Sequence, residues 1–165
     1  MKNRAALASL LRGIAGTLLV VIAFRWWASP LIATIDARWP MALPAPLRWL
    51  GGLLMLGALA LIAAAEWTFL SFGGATGTPG DPPNQLVAHG PYRWLRNPLY
   101  LSGLTVLLGT ALVSRSPTLL TLALIAPVAF HLFVLLVEEP RLEHRYGESY
   151  RVYKRAVPRW IPRRP

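Results

Sequence analysis

Long apolar blocks separated by short polar stretches make up most of this chain. The blocks run over residues 5–27, 47–70, 98–114 and 117–137. Each block is long and nearly free of charge at its centre, whereas helices of soluble proteins place a polar face opposite the apolar one. The pattern predicts an all-α polytopic membrane protein with four transmembrane helices, formed by a single domain over residues 1–165.

The first block has two interpretations. Lys2 and Arg4 precede it, which is also the pattern of a cleaved signal peptide. The block ends in Arg25-Trp26-Trp27, a bulky group that is typical of a membrane interface and offers no clean cleavage site of small residues. We therefore expect a retained span.

Two connectors interrupt the pattern. Residues 28–46 contain four prolines, and residues 73–83 contain four glycines and three prolines, so neither stretch can continue a helix. We expect the second connector to be a mobile loop; a lid over a site and a plain linker are equally good interpretations. Within the second block, Ala60 and Ala64 have the spacing that permits close helix contact, although ordinary alanine abundance explains them equally well.

Two proline signals mark helix starts. Asn97 before Pro98, and Ser116 before Pro117, are typical of an N-cap followed by proline at the first helical position. The short connection between the third and fourth spans predicts an antiparallel helix hairpin. The third span is short for a hydrocarbon core of about 30 Å, so we expect the preceding turn or local thinning to complete it.

The tail has an amphipathic pattern. Pro140 can begin a new helix after the fourth span, and Pro158 can end it. The apolar and aromatic positions recur at helical spacing at Leu142, Tyr146, Tyr150, Tyr153 and Val157. This periodicity predicts a C-terminal amphipathic helix at the membrane interface.

Composition and charge add the orientation. The chain is 55% hydrophobic and only 15% charged, and the formal charge is +10. Because the basic residues flank apolar spans, an anionic bilayer surface is the expected partner rather than nucleic acid. The basic residues expected on one side are Lys2, Arg4, Arg12, Arg93, Arg96, Arg141, Arg145, Arg151, Lys154, Arg155, Arg159, Arg163 and Arg164; those on the opposite side are Arg25, Arg38, Arg48 and Arg115. The positive-inside rule then puts both termini in the cytoplasm, in an inner or cytoplasmic membrane.

Residue chemistry narrows the function only partly. The chain has no cysteine, which excludes disulfides and a thiolate nucleophile, and no His, Asp or Glu cluster has metal-ligand spacing, so no metal is expected. Glu138 and Glu139 stand at the end of an apolar helix; they either pair with nearby arginines or bind a cationic ligand group. Arg96 suits a ligand carboxylate, and the helix N-terminus at Asn97-Pro98 also favours an anion.

Two longer motifs are more specific. His89-Gly90-Pro91-Tyr92-Arg93-Trp94-Leu95-Arg96-Asn97-Pro98-Leu99-Tyr100, followed by Gly103, resembles the cofactor motif of the isoprenylcysteine carboxyl methyltransferase and phospholipid methyltransferase superfamily. The tail resembles the second motif of that superfamily, with Glu138-Glu139, Leu142, Tyr146-Gly147, Tyr150, Tyr153, Val157-Pro158 and Pro162.

The resemblance implies an integral membrane enzyme that uses S-adenosylmethionine. The implied cofactor site comes from residues 84–100 and 138–162 and faces the cytoplasm. Its expected cofactor-binding residues are His89, Gly90, Pro91, Tyr92, Arg96, Asn97, Pro98, Tyr100, Glu138 and Glu139; its expected catalytic residues are Arg96, Glu138 and Glu139. Residues 135–137 are apolar, whereas the eukaryotic prenylcysteine enzymes carry basic residues there.

The expected reaction is methyl transfer to a lipophilic substrate, most like that of isoprenylcysteine carboxyl methyltransferases. A second candidate reaction is N-methylation of a phospholipid amine, which needs a general base: Glu138, Glu139 or Glu66. An NADPH-dependent membrane reductase of related architecture and a non-catalytic lipid-binding scaffold are the remaining candidates. In the fourth span, Pro127 predicts a kink, and His131 is expected to bond a backbone carbonyl freed by that proline.

Overall fold

All regular secondary structure in the described part of the chain is helical, which confirms the all-α prediction. The computed structural model describes residues 26, 28–39, 43–73 and 85–162. Its helices are α1 Ser29–Asp36, α2 Leu47–Thr68, α3 Pro98–Ser114, α4 Pro117–Phe133, α5 Glu139–Tyr146 and α6 Glu148–Ala156. Nearly all of the first predicted span and most of the 73–83 connector lie outside the described residues.

Two helical stretches are long and apolar enough to cross a membrane. They are Leu47–Gly73 and Pro117–Tyr146, and Pro98–Ser114 is a shorter apolar helix. Only 17% and 11% of the most apolar windows of the two long stretches are buried. Their apolar side chains therefore face outwards, as in contact with lipid, rather than into a protein core.

A close approach of two glycines packs α2 against α3. A side chain at Gly51 would lie 2.7 Å from the carbonyl oxygen of Gly109, so neither position has room for one. The buried face of α2 continues through Ala58 and Ala65 at seven-residue intervals. The pair at 60 and 64 is exposed, so the close contact uses a different set of small residues from the one the spacing suggested.

Side chains cap the start of α4 from two directions. Ser116 Oγ accepts a hydrogen bond from the backbone N–H of Leu119 at 3.0 Å, which confirms the predicted cap. Asp36, at the end of α1, accepts the backbone N–H of Thr118 at 3.0 Å. Burial alone would raise the pKa of Asp36, but hydrogen bonds from Ser116 and Thr118 lower it below its usual value. Arg115, the residue before Ser116, adopts the left-handed conformation with φ 57° and ends α3.

The tail contains two helices, so the prediction of one continuous helix was wrong. The fourth apolar helix continues without a break into α5, and α6 follows Gly147, whose φ of +56° takes the chain out of helical geometry. The predicted apolar face nevertheless comes together, because Tyr150, Tyr153 and Val157 form one buried cluster. Leu142 and Tyr146 of α5 pack against this cluster from the far side of the bend.

Candidate functional site

The two polar stretches singled out in the sequence meet at the N-terminal end of α3. Arg96 Nη1 lies 2.8 Å from Glu139 Oε1, although the two residues are 43 positions apart. Both side chains are nearly inaccessible, with 9% of Arg96 and 3% of Glu139 exposed. Contact between the first motif and the glutamate pair is therefore a feature of the buried interior.

Glu139 is surrounded by cations from the tail as well. Arg159 donates to both of its carboxylate oxygens, at 2.6 and 3.0 Å, and Lys154 Nζ lies 3.4 Å from Oε2. The hydrogen bond to Glu139 raises the pKa of Arg159. A buried carboxylate with three cationic partners is compensated within the protein, so Glu139 fits an internal structural role better than direct contact with a ligand.

The segment Pro158–Trp160, which we call the tail strap, ties the site together. The backbone N–H of Arg96 donates to the carbonyl oxygen of Pro158 at 2.9 Å, and Asn97 Nδ2 donates to that of Arg159 at 3.2 Å. Trp160 Nε1 donates to His131 Nδ1 on α4 at 3.0 Å. The partner of His131 is therefore a tail side chain rather than the backbone carbonyl that the sequence suggested.

Asn97 occupies the N-cap position of α3, but its side chain makes no capping hydrogen bond. It is buried and turned towards the tail strap instead. The position was predicted correctly and the capping role was wrong, because the tail offers the side-chain amide a backbone acceptor.

Glu138 has a different environment from its neighbour. It forms a side-chain hydrogen bond with Tyr100, whose ring packs on Phe130 with centroids 5.4 Å apart. Its second oxygen, Oε2, is buried without a hydrogen-bond partner in the described part of the chain, and so is Nε of Arg96. Buried polar groups are normally paired. An unpaired acceptor on the neighbour of Glu139 and an unpaired donor on the arginine that binds Glu139 therefore indicate a place for a ligand.

Tyr92 connects the first motif to Phe69, just after α2, and to α6. It is buried, meets Phe69 edge-on with ring centroids 4.9 Å apart, and accepts at its backbone oxygen a 2.8 Å hydrogen bond from the Tyr153 hydroxyl. Burial, and then the negative charge of Glu66, raise the pKa of Tyr92. Burial also raises the pKa of Tyr153, so its hydroxyl keeps the proton that it donates. These contacts hold the first motif against α6.

The start of the first motif lies beside the end of α2. His89 is exposed, and its ring stacks on Phe72 with centroids 4.3 Å apart and planes 3° apart. Gly90 has a φ of +54°, and a side chain there would collide with Thr68 Oγ1. Gly90 and Pro91 open the short 3₁₀ helix Gly90–Arg93. These residues shape the backbone of the motif, whereas Arg96, Asn97 and Tyr100 contact the glutamate pair or the strap.

Three residues of the site were not predicted as site residues from the sequence: Arg159, Lys154 and Trp160. The sequence shows them only as tail charges and an interfacial tryptophan, because their partners are 15 to 29 positions away. The signal that could have found them was a carboxylate pair at the end of an apolar helix, followed by a strongly basic tail. That signal predicts pairing but not which cation pairs.

The polar groups fit a ligand that carries both an anion and a cation. The unpaired Nε–H of Arg96 can donate to a carboxylate, and the unpaired Oε2 of Glu138 can accept from an ammonium or hydroxyl group. Both atoms belong to residues that the sequence indicated as site residues.

A protein-family model matches more than half of the chain. The model described as Phospholipid methyltransferase matches residues 46–149, which include α2 to α5 and the whole first motif.

Curated proteins similar to this chain carry a consistent name. A phosphatidylethanolamine N-methyltransferase of Talaromyces marneffei is 33% identical over 128 residues, and that of Uncinocarpus reesii is 34% identical over 129 residues. In each case the match covers 71% of this chain but 13% of the relative, so the chain corresponds to a small part of those proteins.

A solved structure with a similar fold matches most of the chain. It is a eukaryotic intramembrane Ras methyltransferase, an isoprenylcysteine carboxyl methyltransferase, with a TM-score of 0.55 and 19% sequence identity. The match covers 94% of this chain and 52% of that one.

Proposed function

We propose the following function on the premise that the chain belongs to the phospholipid methyltransferase family, which matches residues 46–149. The protein is an integral membrane methyltransferase that transfers a methyl group from S-adenosylmethionine to a lipophilic acceptor. The family assignment made from the two motifs is confirmed. The activity, the cofactor and the acceptor are inferences, since the chain covers only a small part of its curated relatives.

The pair of unsatisfied polar atoms carries the proposal. Arg96 and Glu138 come from the two separate motifs, and each leaves one buried polar atom without a partner. S-adenosylmethionine has a carboxylate for the unpaired donor of Arg96, and a lipid amine acceptor brings the proton that the unpaired oxygen of Glu138 can accept. We assign the remaining motif residues to the same cofactor site, in which Glu139 holds Arg96 in place instead of contacting the ligand. They are His89, Gly90, Pro91, Tyr92, Asn97, Pro98, Tyr100 and Glu139.

The cofactor supplies an electrophilic methyl group on a sulfonium sulfur. The protein contributes positioning, because Arg96 is fixed by Glu139 and by the strap before any ligand arrives. The apolar ends of α3 and α4 limit the access of water to the site. We expect Arg96 to orient the cofactor carboxylate and Glu138 to contact the reacting end.

For the acceptor, the geometry supports a lipid amine. An ammonium group must lose a proton before its nitrogen can attack, and Glu138 Oε2 is a buried acceptor that the fold leaves unpaired. The nitrogen then forms a bond to the methyl carbon while the sulfur–carbon bond breaks and sulfur keeps the electron pair. Glu139 is less suitable as the base, because three cations already bind it.

A pH–rate profile separates the amine from the carboxylate acceptor. A lipid amine has a pKa near that of lysine, about 10.4, so its reactive form increases tenfold per pH unit in the neutral range. We expect the rate with saturating cofactor to rise with pH for phosphatidylethanolamine. A flat profile together with turnover of a prenylcysteine carboxylate would instead support the isoprenylcysteine-type reaction, which the similarity in fold leaves as the second candidate.

The membrane topology is part of the proposal. Trp49 and Trp67 are 81% and 70% exposed, and the 18 helical steps from one to the other correspond to a rise of about 27 Å, close to the hydrocarbon thickness. We place α2, α3 and α4 with its extension across the bilayer. Together with the first apolar block they make four spans. In this arrangement α3 and α4 form the hairpin, and both termini and the cofactor site face the cytoplasm as one domain.

Ligand binding in detergent tests the proposal against its rivals. We expect the purified chain to bind S-adenosylmethionine and not NADPH, and to transfer a tritiated methyl group to phosphatidylethanolamine in mixed micelles. An Arg96→Ala variant should lose cofactor binding. Binding of NADPH alone would support the reductase, and binding of neither ligand would leave the lipid-binding scaffold as the function.

A further inference from the structure

An apolar groove runs along the outer side of the α3–α4 pair. It has a volume of about 500 Å³ and is lined by residues of both helices, from Leu101 to Leu108 on α3 and from Ala123 to His131 on α4. The seven helical steps from Leu101 to Leu108 correspond to a length of about 10 Å along the helix. The groove is therefore an elongated channel in the part of the molecule that we place in the bilayer.

One end of the groove is polar. His131 and Trp160 both line it, and they are joined by the hydrogen bond from Trp160 Nε1 to His131 Nδ1. Because the indole nitrogen can only donate, Nδ1 of His131 carries no proton and the ring N–H is on Nε2. That end of the groove therefore has a ring N–H donor. The remaining lining residues are apolar except for Thr105, whose hydroxyl donates to the carbonyl oxygen of Leu101.

The polar end continues directly into the candidate site. Trp160 is the last residue of the tail strap, and the preceding residue, Arg159, binds Glu139 and accepts from Asn97. Leu101, at the groove end, is one helical turn beyond Asn97, whose carbonyl oxygen accepts the Leu101 backbone N–H. A charged site and an apolar groove thus share the strap as their boundary, an arrangement that fits a molecule with a polar head and a long apolar chain.

We propose that this groove holds one acyl chain of a glycerophospholipid acceptor, with the ester region of that lipid beside His131 and Trp160. The inference rests on the proposed function, because it assigns the substrate class of the same site. The apolar walls exclude the headgroup, and the donor at the polar end complements an ester carbonyl oxygen. Acceptor specificity then depends on chain length as well as on the amine.

Photocrosslinking tests the groove without using turnover. The full chain in nanodiscs receives a phosphatidylethanolamine with a diazirine in one acyl chain, and adducts are mapped by mass spectrometry. We expect adducts concentrated on the groove residues of α3 and α4. Val128→Trp, at a 60% exposed position of the groove, should lower them about fivefold, whereas Ile125→Trp, on the same helix, 59% exposed and not part of the lining, should leave them unchanged.

Three results would overturn the proposal. Adducts spread evenly over the lipid-facing surface, or unaffected by Val128→Trp, would show that the groove holds no chain of its own. Selective labelling by a farnesyl diazirine but not by the acyl probe would identify a prenyl occupant. If Val128→Trp fails to fold, Leu104→Trp fills the groove from α3 instead.

Activity then separates this inference from the proposed function. With a diacetyl acceptor, whose acyl groups end beside His131 and do not reach Val128, Val128→Trp should keep the kcat/KM of the wild type. With a dioleoyl acceptor it should lose about tenfold. Groove labelling without methyl transfer to any lipid would refute the proposed function and leave a lipid-binding groove. Methyl transfer without chain-length dependence would refute the proposal that the groove holds an acyl chain of the acceptor.

Discussion

Glu138 and Glu139 are adjacent in the chain and lie in opposite environments. Glu139 is 3% exposed and binds Arg96, Arg159 and Lys154. Glu138 forms a hydrogen bond with a tyrosine, and its second oxygen is buried without a partner in the described residues. Glu139 therefore stabilises the structure of the site, and Glu138 has an oxygen that can act on a ligand.

The helix geometry accounts for this division. Residues Val134–Glu138 form a π-helical turn in which the backbone N–H of Glu139 bonds to the carbonyl oxygen of Val134, five residues earlier. The turn ends at Glu138, and because neighbouring residues of a helix point about 100° apart, the two carboxylates meet different neighbours. A second π turn, Phe69–Gly73, ends α2 beside His89. π turns frequently accompany functional sites, and here both lie next to the two motifs.

Removal of Glu139 should have the largest effect. Glu139→Ala leaves three cations without their common partner, two of them nearly or largely buried, and breaking a buried ion pair in this way costs about 3–5 kcal/mol. We expect the variant to lose its cooperative thermal transition or to fall far below the wild type in melting temperature, measured in detergent by scanning fluorimetry.

Glu143→Ala is the matched control for this variant. Glu143 also pairs with Lys154 and with Arg151, but its side chain is 33% exposed, and such pairs contribute about 0–1 kcal/mol. Equal losses of stability for both variants would contradict the distinction between an internal and a surface pair.

Glu138→Gln should affect the rate instead of the fold. The amide keeps the shape of the side chain and removes a buried carboxylate that lacks one partner, so the melting temperature should stay the same or rise. Loss of a general base costs about 100-fold or more in rate. The measurement is single-turnover transfer of a tritiated methyl group; a variant with normal turnover would assign the proton to another group.

The sequence predicted the local features well because their causes are local. Pro98 and Pro117 begin α3 and α4, and Ser116 caps α4, since proline and a short hydroxyl side chain act on the residues next to them. The pairing of Glu139 with Arg159 could not be predicted, because it depends on how the tail folds back. That path includes the bend at Gly147, which the helical spacing of the tail residues did not reveal.

Tyr100→Phe should have a smaller effect than Glu138→Gln. The substitution removes the hydroxyl that holds one oxygen of Glu138 and keeps the ring that packs on Phe130. We expect kcat to fall about tenfold, equivalent to one hydrogen bond to a charged group, with little change in melting temperature. A large loss of stability with unchanged kcat would mean that the tyrosine supports the fold and not the glutamate.

Tyr153→Phe should have the smallest effect and should change stability but not the rate. It removes the 2.8 Å hydrogen bond to the backbone oxygen of Tyr92, which costs about 1 kcal/mol, and it should leave kcat within about twofold. Burial raises the pKa of Tyr153 above the ordinary 10.0, so its contribution is complete below that pH and is lost as the pH rises towards the folded-state value. The difference in melting temperature between wild type and variant should therefore stay constant at neutral pH and narrow above pH 10. A difference that instead widens in alkali would show that the tyrosinate is favoured in the folded protein, contrary to its burial.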